Sequence, residues 1–96
     1  MFREVKWSTR ALFEWVEILE YWIDRNQSNT YSNKLDHILK AKFHTVAKSS
    51  SIGRPTDYQT VRVKIVRHYM VYYRIEPESI QILTIWDSRR NPSEFK

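Results

Sequence analysis

The chain has 96 residues, 42% of them hydrophobic and 15% aromatic, which is enough for one modest core and too apolar for a disordered chain. Zero cysteines exclude disulfides and thiolate metal sites and suit a reducing cytoplasm. A net charge of +5 points to an anionic partner, although basic charge also serves solubility in many small proteins.

The length implies a single domain over residues 1–96. No apolar run approaches the length of a membrane span. The start, Met-Phe-Arg-Glu-Val-Lys, lacks the apolar stretch of a signal peptide, so a cytoplasmic protein is expected. The charge is uneven. Residues 1–30 carry 4 Lys/Arg against 5 Asp/Glu, residues 31–60 carry 5 against 2, and residues 61–96 carry 7 against 4. The basic part is therefore the last two thirds.

Phe2 to Trp7 alternates loosely and predicts a first strand. Ser8 or Thr9 follows as a helix N-cap, since its hydroxyl oxygen can accept from the free N–H groups of the first turn. Ala11, Leu12, Trp15, Ile18, Leu19 and Trp22 recur at helical spacing, with Glu14, Glu17, Glu20 and Asp24 away from that stripe. Polar residues 25–29 break the helix. A second helix carries Tyr31, Leu35, Ile38, Leu39 and Val46 on one side, and the two should form a hairpin.

Residues 48–60 read as a loop. The period then changes from 3.6 to 2, because Val61, Val63 and Ile65 alternate with Arg62 and Lys64. Tyr69 to Ile75 and Ile80 to Ile85 continue as strands. A three-residue loop at 66–68 would put Val61, Val63 and Ile65 on the face of Tyr69, Val71 and Tyr73. A four-residue loop at 76–79 would add Ile82, Thr84 and Trp86 to that face. The opposite face would group Arg62, Lys64, Met70, Tyr72, Arg74, Gln81, Leu83, Ile85 and Asp87, half basic and half apolar. The predicted class is α+β: an N-terminal strand, a helical hairpin and a three-stranded antiparallel meander (β-α-α-β-β-β), with the helices packed on one face of the sheet.

With one glycine the chain has neither a P-loop nor a dinucleotide fingerprint. His37 and His44 stand seven residues apart, roughly 10 Å along a helix, which is too far for one zinc. Neither a metal nor another cofactor is expected. Glu14 and Glu17 read as a solvated face rather than as an acid/base pair, and Trp15 and Trp22 as core. The basic set is the strongest signal. Arg62, Lys64 and Arg74 lie on the strands, and Arg54, Arg67, Arg89 and Arg90 in adjoining loops, with His68 at a hairpin tip and Tyr72 between. Guanidinium forks and lysines suit phosphate oxygens, and tyrosine can stack on a base or donate a proton. Metal-free RNA cleavage needs a base for the 2′-hydroxyl, cations for the phosphorane and an acid for the leaving oxygen. Arg62, Arg74, Arg89 and Arg90 with His68, Tyr72 and Asp87 would supply such groups, with Lys64, Arg54 and Arg67 on the nucleic acid. The proposed register brings His68 near Asp87. A solvated sheet face is the bland alternative.

Four stretches, "VKWSTRALFEWVEILEYW", "IGRP", "VRVKIVRHYMVYYRI" and "IQILTIWDSRRNP", follow one another over residues 5–92. In this order they resemble the RelE/ParE toxins of bacterial type II toxin–antitoxin systems. The resemblance implies a cytoplasmic toxin bound by a small acidic antitoxin in a hetero-oligomer. It also implies one of two targets, messenger RNA on the ribosome or DNA gyrase, with ribosome-dependent RNA cleavage the favoured expectation. A non-toxic basic nucleic-acid-binding module is the further alternative. Arg62, and Arg89 or Arg90, match positions of the family's functional basic residues. "GRPTDYQT" has no counterpart of the lysine pair of RelE-type nucleases, and the ending Ser-Glu-Phe-Lys lacks a terminal His-Tyr pair.

Overall fold

The computed structural model describes residues 3–89. In chain order they form β1 (Glu4–Trp7), α1 (Thr9–Asn26), α2 (Thr30–Lys48), a 3-10 turn (Ser50–Ile52), β2 (Arg54–Pro55), β3 (Val61–Val66), β4 (Tyr69–Ile75) and β5 (Ser79–Asp87). The strands make one five-stranded sheet in the order β1-β5-β4-β3-β2, with the helices against one face. The α+β expectation holds. Phe2, assigned to the first strand from its alternation, lies outside the described residues.

Ser8 starts α1 in extended conformation, and its Oγ accepts the N–H of Ala11 at 3.0 Å. The same hydroxyl donates to the Leu83 carbonyl at 2.8 Å, so the cap also ties the helix start to β5. Gln27 ends the helix in the left-handed region at φ 52°, its N–H bonded to the Ile23 carbonyl. The hairpin is then locked by polar contacts between the helices. Trp15 Nε1 donates to Asp36 Oδ1 at 2.9 Å, and Ser32 Oγ to the Leu19 carbonyl at 3.0 Å. Burial alone would raise the Asp36 carboxyl. Hydrogen bonds from Lys40 and Trp15 outweigh it and hold the group below its ordinary value.

The core joins Ala11 and Trp15 of α1 and Leu35, Leu39, Phe43 and Val46 of α2 to Val66, Tyr69, Val71, Tyr73, Ile80, Ile82 and Ile85 of the sheet. Leu12, read as part of the core stripe, is 52% exposed, and Leu19 is only half-buried. The apolar arc of α1 is wider than the sheet can cover.

β1 lies parallel to β5, Val5 opposite Ile80, although the two strands are the first and last described. β2 covers only part of β3, pairing Arg54 with Val63 and Pro55 with Arg62. Gly53 precedes it because a Cβ there would collide with the Tyr73 hydroxyl and lie 2.9 Å from the Val63 carbonyl. Its amide instead donates to Tyr73 Oη at 3.0 Å, and that hydroxyl donates to the Ser50 carbonyl at 2.7 Å.

Two expectations of register are corrected. The β3–β4 turn is two residues, Arg67-His68, and Val66 pairs with Tyr69. Arg67 adopts φ 58°, which permits the tight turn and shifts the alternation by one. Arg62, Lys64 and Val66 therefore share the helix side with Tyr73, Val71 and Tyr69. Val61, Val63 and Ile65 lie on the open side with Arg74, Tyr72 and Met70. Val61 and Val63 still leave water, at 8% exposure each, because residues 56–60 fold beside Val61 and β2 pairs with Val63. The second correction lies in β5. Ile75 pairs with Ile80 as expected, but the register slips between Tyr72 and Tyr73, whose partners are Thr84 and Ile82. The extra residue, Leu83, sends Thr84 and Trp86 to the open side and puts Ile85 and Asp87 on the helix side.

Candidate interaction surface

The open face of the sheet is built in rows across the strands. Ile65, Met70 and Trp86 form one, and Val63, Tyr72 and Thr84 the next, with Arg54 beyond Val63. Arg74 continues the face and is exposed. Residues 56–60 stand beside this surface and with Tyr72, Arg74 and Leu83 enclose a concavity of about 680 Å³. Thr56 shapes that loop, its hydroxyl donating to the Val61 carbonyl at 2.8 Å and accepting the Tyr58 amide at 3.2 Å. The result is an apolar floor with tyrosines and arginines at its rim, suited to a partner that is both apolar and anionic.

The expected basic set does not gather on this face. Arg62 turns to the helix side and donates to the Gly53 carbonyl at 2.8 Å, pinning the segment before β2. Lys64 lies on the same side, half-buried. Tyr72 and Arg74 remain on the open face, and Arg54 joins them. Arg67 and His68 are exposed at the turn. Arg90 lies outside the described residues.

Asp87 and Arg89 form a different unit. The guanidinium of Arg89 donates to both Asp87 oxygens, at 3.0 and 2.9 Å, and the Arg89 amide donates to Oδ1 at 2.9 Å. The same guanidinium stands 5.8 Å from the Trp22 ring centre and 5.9 Å from that of Tyr69. Trp22 Nε1 in turn donates to Tyr69 Oη at 2.8 Å. Burial raises the Tyr69 hydroxyl above its ordinary value, against the hydrogen bond from Trp22. His68 meets the end of β5 through its backbone and at Ser88, its carbonyl accepting Ser88 N–H at 2.8 Å and Ser88 Oγ at 2.7 Å, while Asp87 stands opposite Tyr69. The carboxylate itself holds Arg89.

Glu14 is not the solvated residue its place on α1 suggested. Its Oε1 accepts the Ile85 amide at 2.9 Å and the Thr84 hydroxyl at 2.7 Å, while Oε2 pairs with Arg10 at 3.1 Å. The sequence carries no local sign of this, because the partners stand 70 residues away or more. The aromatic support of Arg89 was missed for the same reason. Only the density of Trp and Tyr hinted at it. Among the described residues no group of three or more His, Asp or Glu could hold a metal ion, and no helix is long and apolar enough to cross a membrane.

The sheet is covered by a helical hairpin on one side and carries apolar residues and cations on the other. The family described as the ParE toxin of the type II toxin-antitoxin system parDE matches residues 5–92, and the chain belongs to that family. No curated protein sequence matches significantly. Among solved structures, a chain of the chromosomal ParDE toxin–antitoxin system of P. aeruginosa superposes with a TM-score of 0.72 at 18% identity, over 88% of this chain and 94% of that one. That likeness is one of fold.

Proposed function

We propose that this ParE-family toxin is held inactive by a small acidic antitoxin and arrests growth by binding DNA gyrase rather than by cutting RNA. The observation that carries the choice of target is the division of the cations between the two faces of the sheet. Phosphodiester cleavage without metal needs acid, base and cations converging on one phosphate. Arg62 and Lys64 lie on the helix side, Tyr72 and Arg74 on the open side, and Asp87 is engaged by Arg89. A protein that acts by binding needs only a surface, and the open face with Arg54, Tyr72, Arg74 and Trp86 supplies one. The antitoxin reading rests on the family and on that same face, which is apolar and cationic and so fits an acidic, partly apolar partner.

Ribosome-dependent RNA cleavage is the second reading. Tyr72 and Arg74 beside the concavity favour it, since the ring could stack on a base while the guanidinium meets a phosphate. Induced expression of the chain alone should stop growth, and co-expression with the product of the adjacent reading frame should restore it. Purified protein should block supercoiling by gyrase and leave ribosome-bound message intact in primer extension. Cleaved message with normal supercoiling would replace the gyrase reading by the nuclease one. Normal growth at high soluble expression would leave a non-toxic binding module.

A further inference from the structure

α1 carries an apolar stripe that the rest of the chain does not cover. Leu12, Val16 and Ile23 are 52%, 42% and 39% exposed, and Leu19 between them is half-buried. They recur at intervals of four, three and four residues, which keeps them on one line along the helix. The residue before each packs inward: Ala11, Trp15, Ile18 and Trp22 belong to the core or lie against it. The residue after each is exposed: Phe13, Glu17, Glu20 and Asp24. The stripe therefore runs along the border between a buried side and an acidic outer side. α2 lies on the buried side of that border, since Asp36 accepts from Trp15 and Ser32 donates to the Leu19 carbonyl.

The two helices differ in charge. α1 carries four acids, Glu14, Glu17, Glu20 and Asp24, against Arg10 and Arg25, a net −2. α2 carries four lysines, at 34, 40, 42 and 48, against Asp36, a net +3. Among the described residues no ion pair or side-chain hydrogen bond engages the carboxylates of Glu17, Glu20 and Asp24.

The spacing is that of a seam between two helices. β-branched residues at one alternating position, Val16 and Ile23, with leucine at the other, Leu12 and Leu19, are the combination that favours a parallel pair. Charge selects the same arrangement. A two-fold axis along the stripe turns the inner side of each copy toward the outer side of the other. The basic α2 of one copy then faces the acidic flank of its partner. An antiparallel pair would set inner side against inner side, basic α2 against basic α2.

We propose that α1 pairs in parallel with α1 of a second copy of this chain, through Leu12, Val16, Leu19 and Ile23. Each residue meets its own counterpart across the axis. The seam is short, so association is weak and depends on concentration. It lies on the helix side of the sheet and leaves both open faces of the pair accessible. The inference stands apart from the choice of cellular target.

Sedimentation velocity of the whole purified chain over a rising concentration series reads the pairing directly. The mass should climb from one chain toward two. Val16→Glu should hold it at one chain with an unchanged circular dichroism spectrum, because the position is exposed. Glu20→Lys sets a cation against the partner's basic helix and should weaken association about tenfold. The direction is read with Leu12→Cys and a short bismaleimide. The two thiols stand side by side in a parallel pair and cross-link, whereas about 16 Å of helix would separate them in an antiparallel one. A wild-type chain that stays single at every concentration overturns the proposal, as does a dimer that survives Val16→Glu. A dimer whose Leu12→Cys form does not cross-link overturns the parallel seam. A single chain whose Val16→Glu variant fails to bind the product of the adjacent reading frame also overturns it, and gives the stripe to that protein.

Discussion

Glu14 Oε1 accepts the backbone N–H of Ile85 at 2.9 Å, and so takes the place a strand would have beside the second half of β5. β1 ends at Trp7 opposite Ile82, whereas β5 runs on to Asp87. A helix side chain thus finishes what the short edge strand leaves undone. Glu14→Ala should cost about 1–3 kcal/mol, since it leaves the Ile85 amide unsatisfied. Glu14→Gln keeps a carbonyl acceptor and should cost less. Arg10→Ala removes only an exposed ion pair, worth less than about 1 kcal/mol. Urea unfolding of the three variants checks the order, and an unchanged midpoint for Glu14→Ala would refute the edge role.

The Asp36 carboxyl titrates below its ordinary value in the folded chain, so its contribution is fully present above the unfolded value of about 4. It is lost as pH falls through the lower, folded value. Asp36→Asn should lower stability at neutral pH by about 0.5–1 kcal/mol through loss of the Lys40 pair. The difference from wild type should close on acidification below about pH 4. A gap that stays constant down to about pH 2.5, well under the ordinary carboxylate value, would show that the carboxylate does not stabilise the hairpin.

Gly53 and Tyr73 make a lock between the 3-10 turn, β2 and β4. Tyr73→Phe leaves the Gly53 amide and the Ser50 carbonyl without that hydroxyl and should cost about 1–3 kcal/mol. Gly53→Ala should cost a similar amount or more, because the added methyl meets backbone as well as the ring. In the background of Tyr73→Phe the penalty of Gly53→Ala should shrink, which thermal unfolding of the double-mutant cycle can measure.

Arg74 and Arg89 should behave differently. Arg89 is held by Asp87 and stacked near two aromatic rings, so Arg89→Ala should lower stability by about 1 kcal/mol. Arg74 is exposed on the open face, and Arg74→Ala should change stability by less than about 0.5 kcal/mol while reducing growth inhibition. Equal stability losses in both, with toxicity intact, would place the function elsewhere.

The element order was legible because long periodic segments announce themselves. Trp15, Leu35 and Leu39 at helical spacing, and the alternation after Thr60, suffice for a hairpin and a meander. Register was not, because it hangs on single residues. One left-handed φ at Arg67 moved Arg62 and Lys64 to the other side of the sheet, and one extra residue at Leu83 moved Ile85 into the core. Alternation shows that two faces exist, and not which one the helices cover. When both faces are partly apolar, as with Val61 and Val63 against Val66 and Val71, hydrophobic pattern cannot choose between them. The candidate site suffered most, since it was defined by a shared face.

The position of β5 between β1 and β4 bears on synthesis as well as on shape. The N-terminal strand has no partner in the sheet until Ser79–Asp87 has left the ribosome, because that last described strand alone bridges it to the meander. The helical hairpin can form from local contacts, but the β1 edge of the sheet closes only after β5 has been made. A partner that grips the open face therefore meets a surface whose Thr84 and Trp86 are in place only once β5 has joined the sheet.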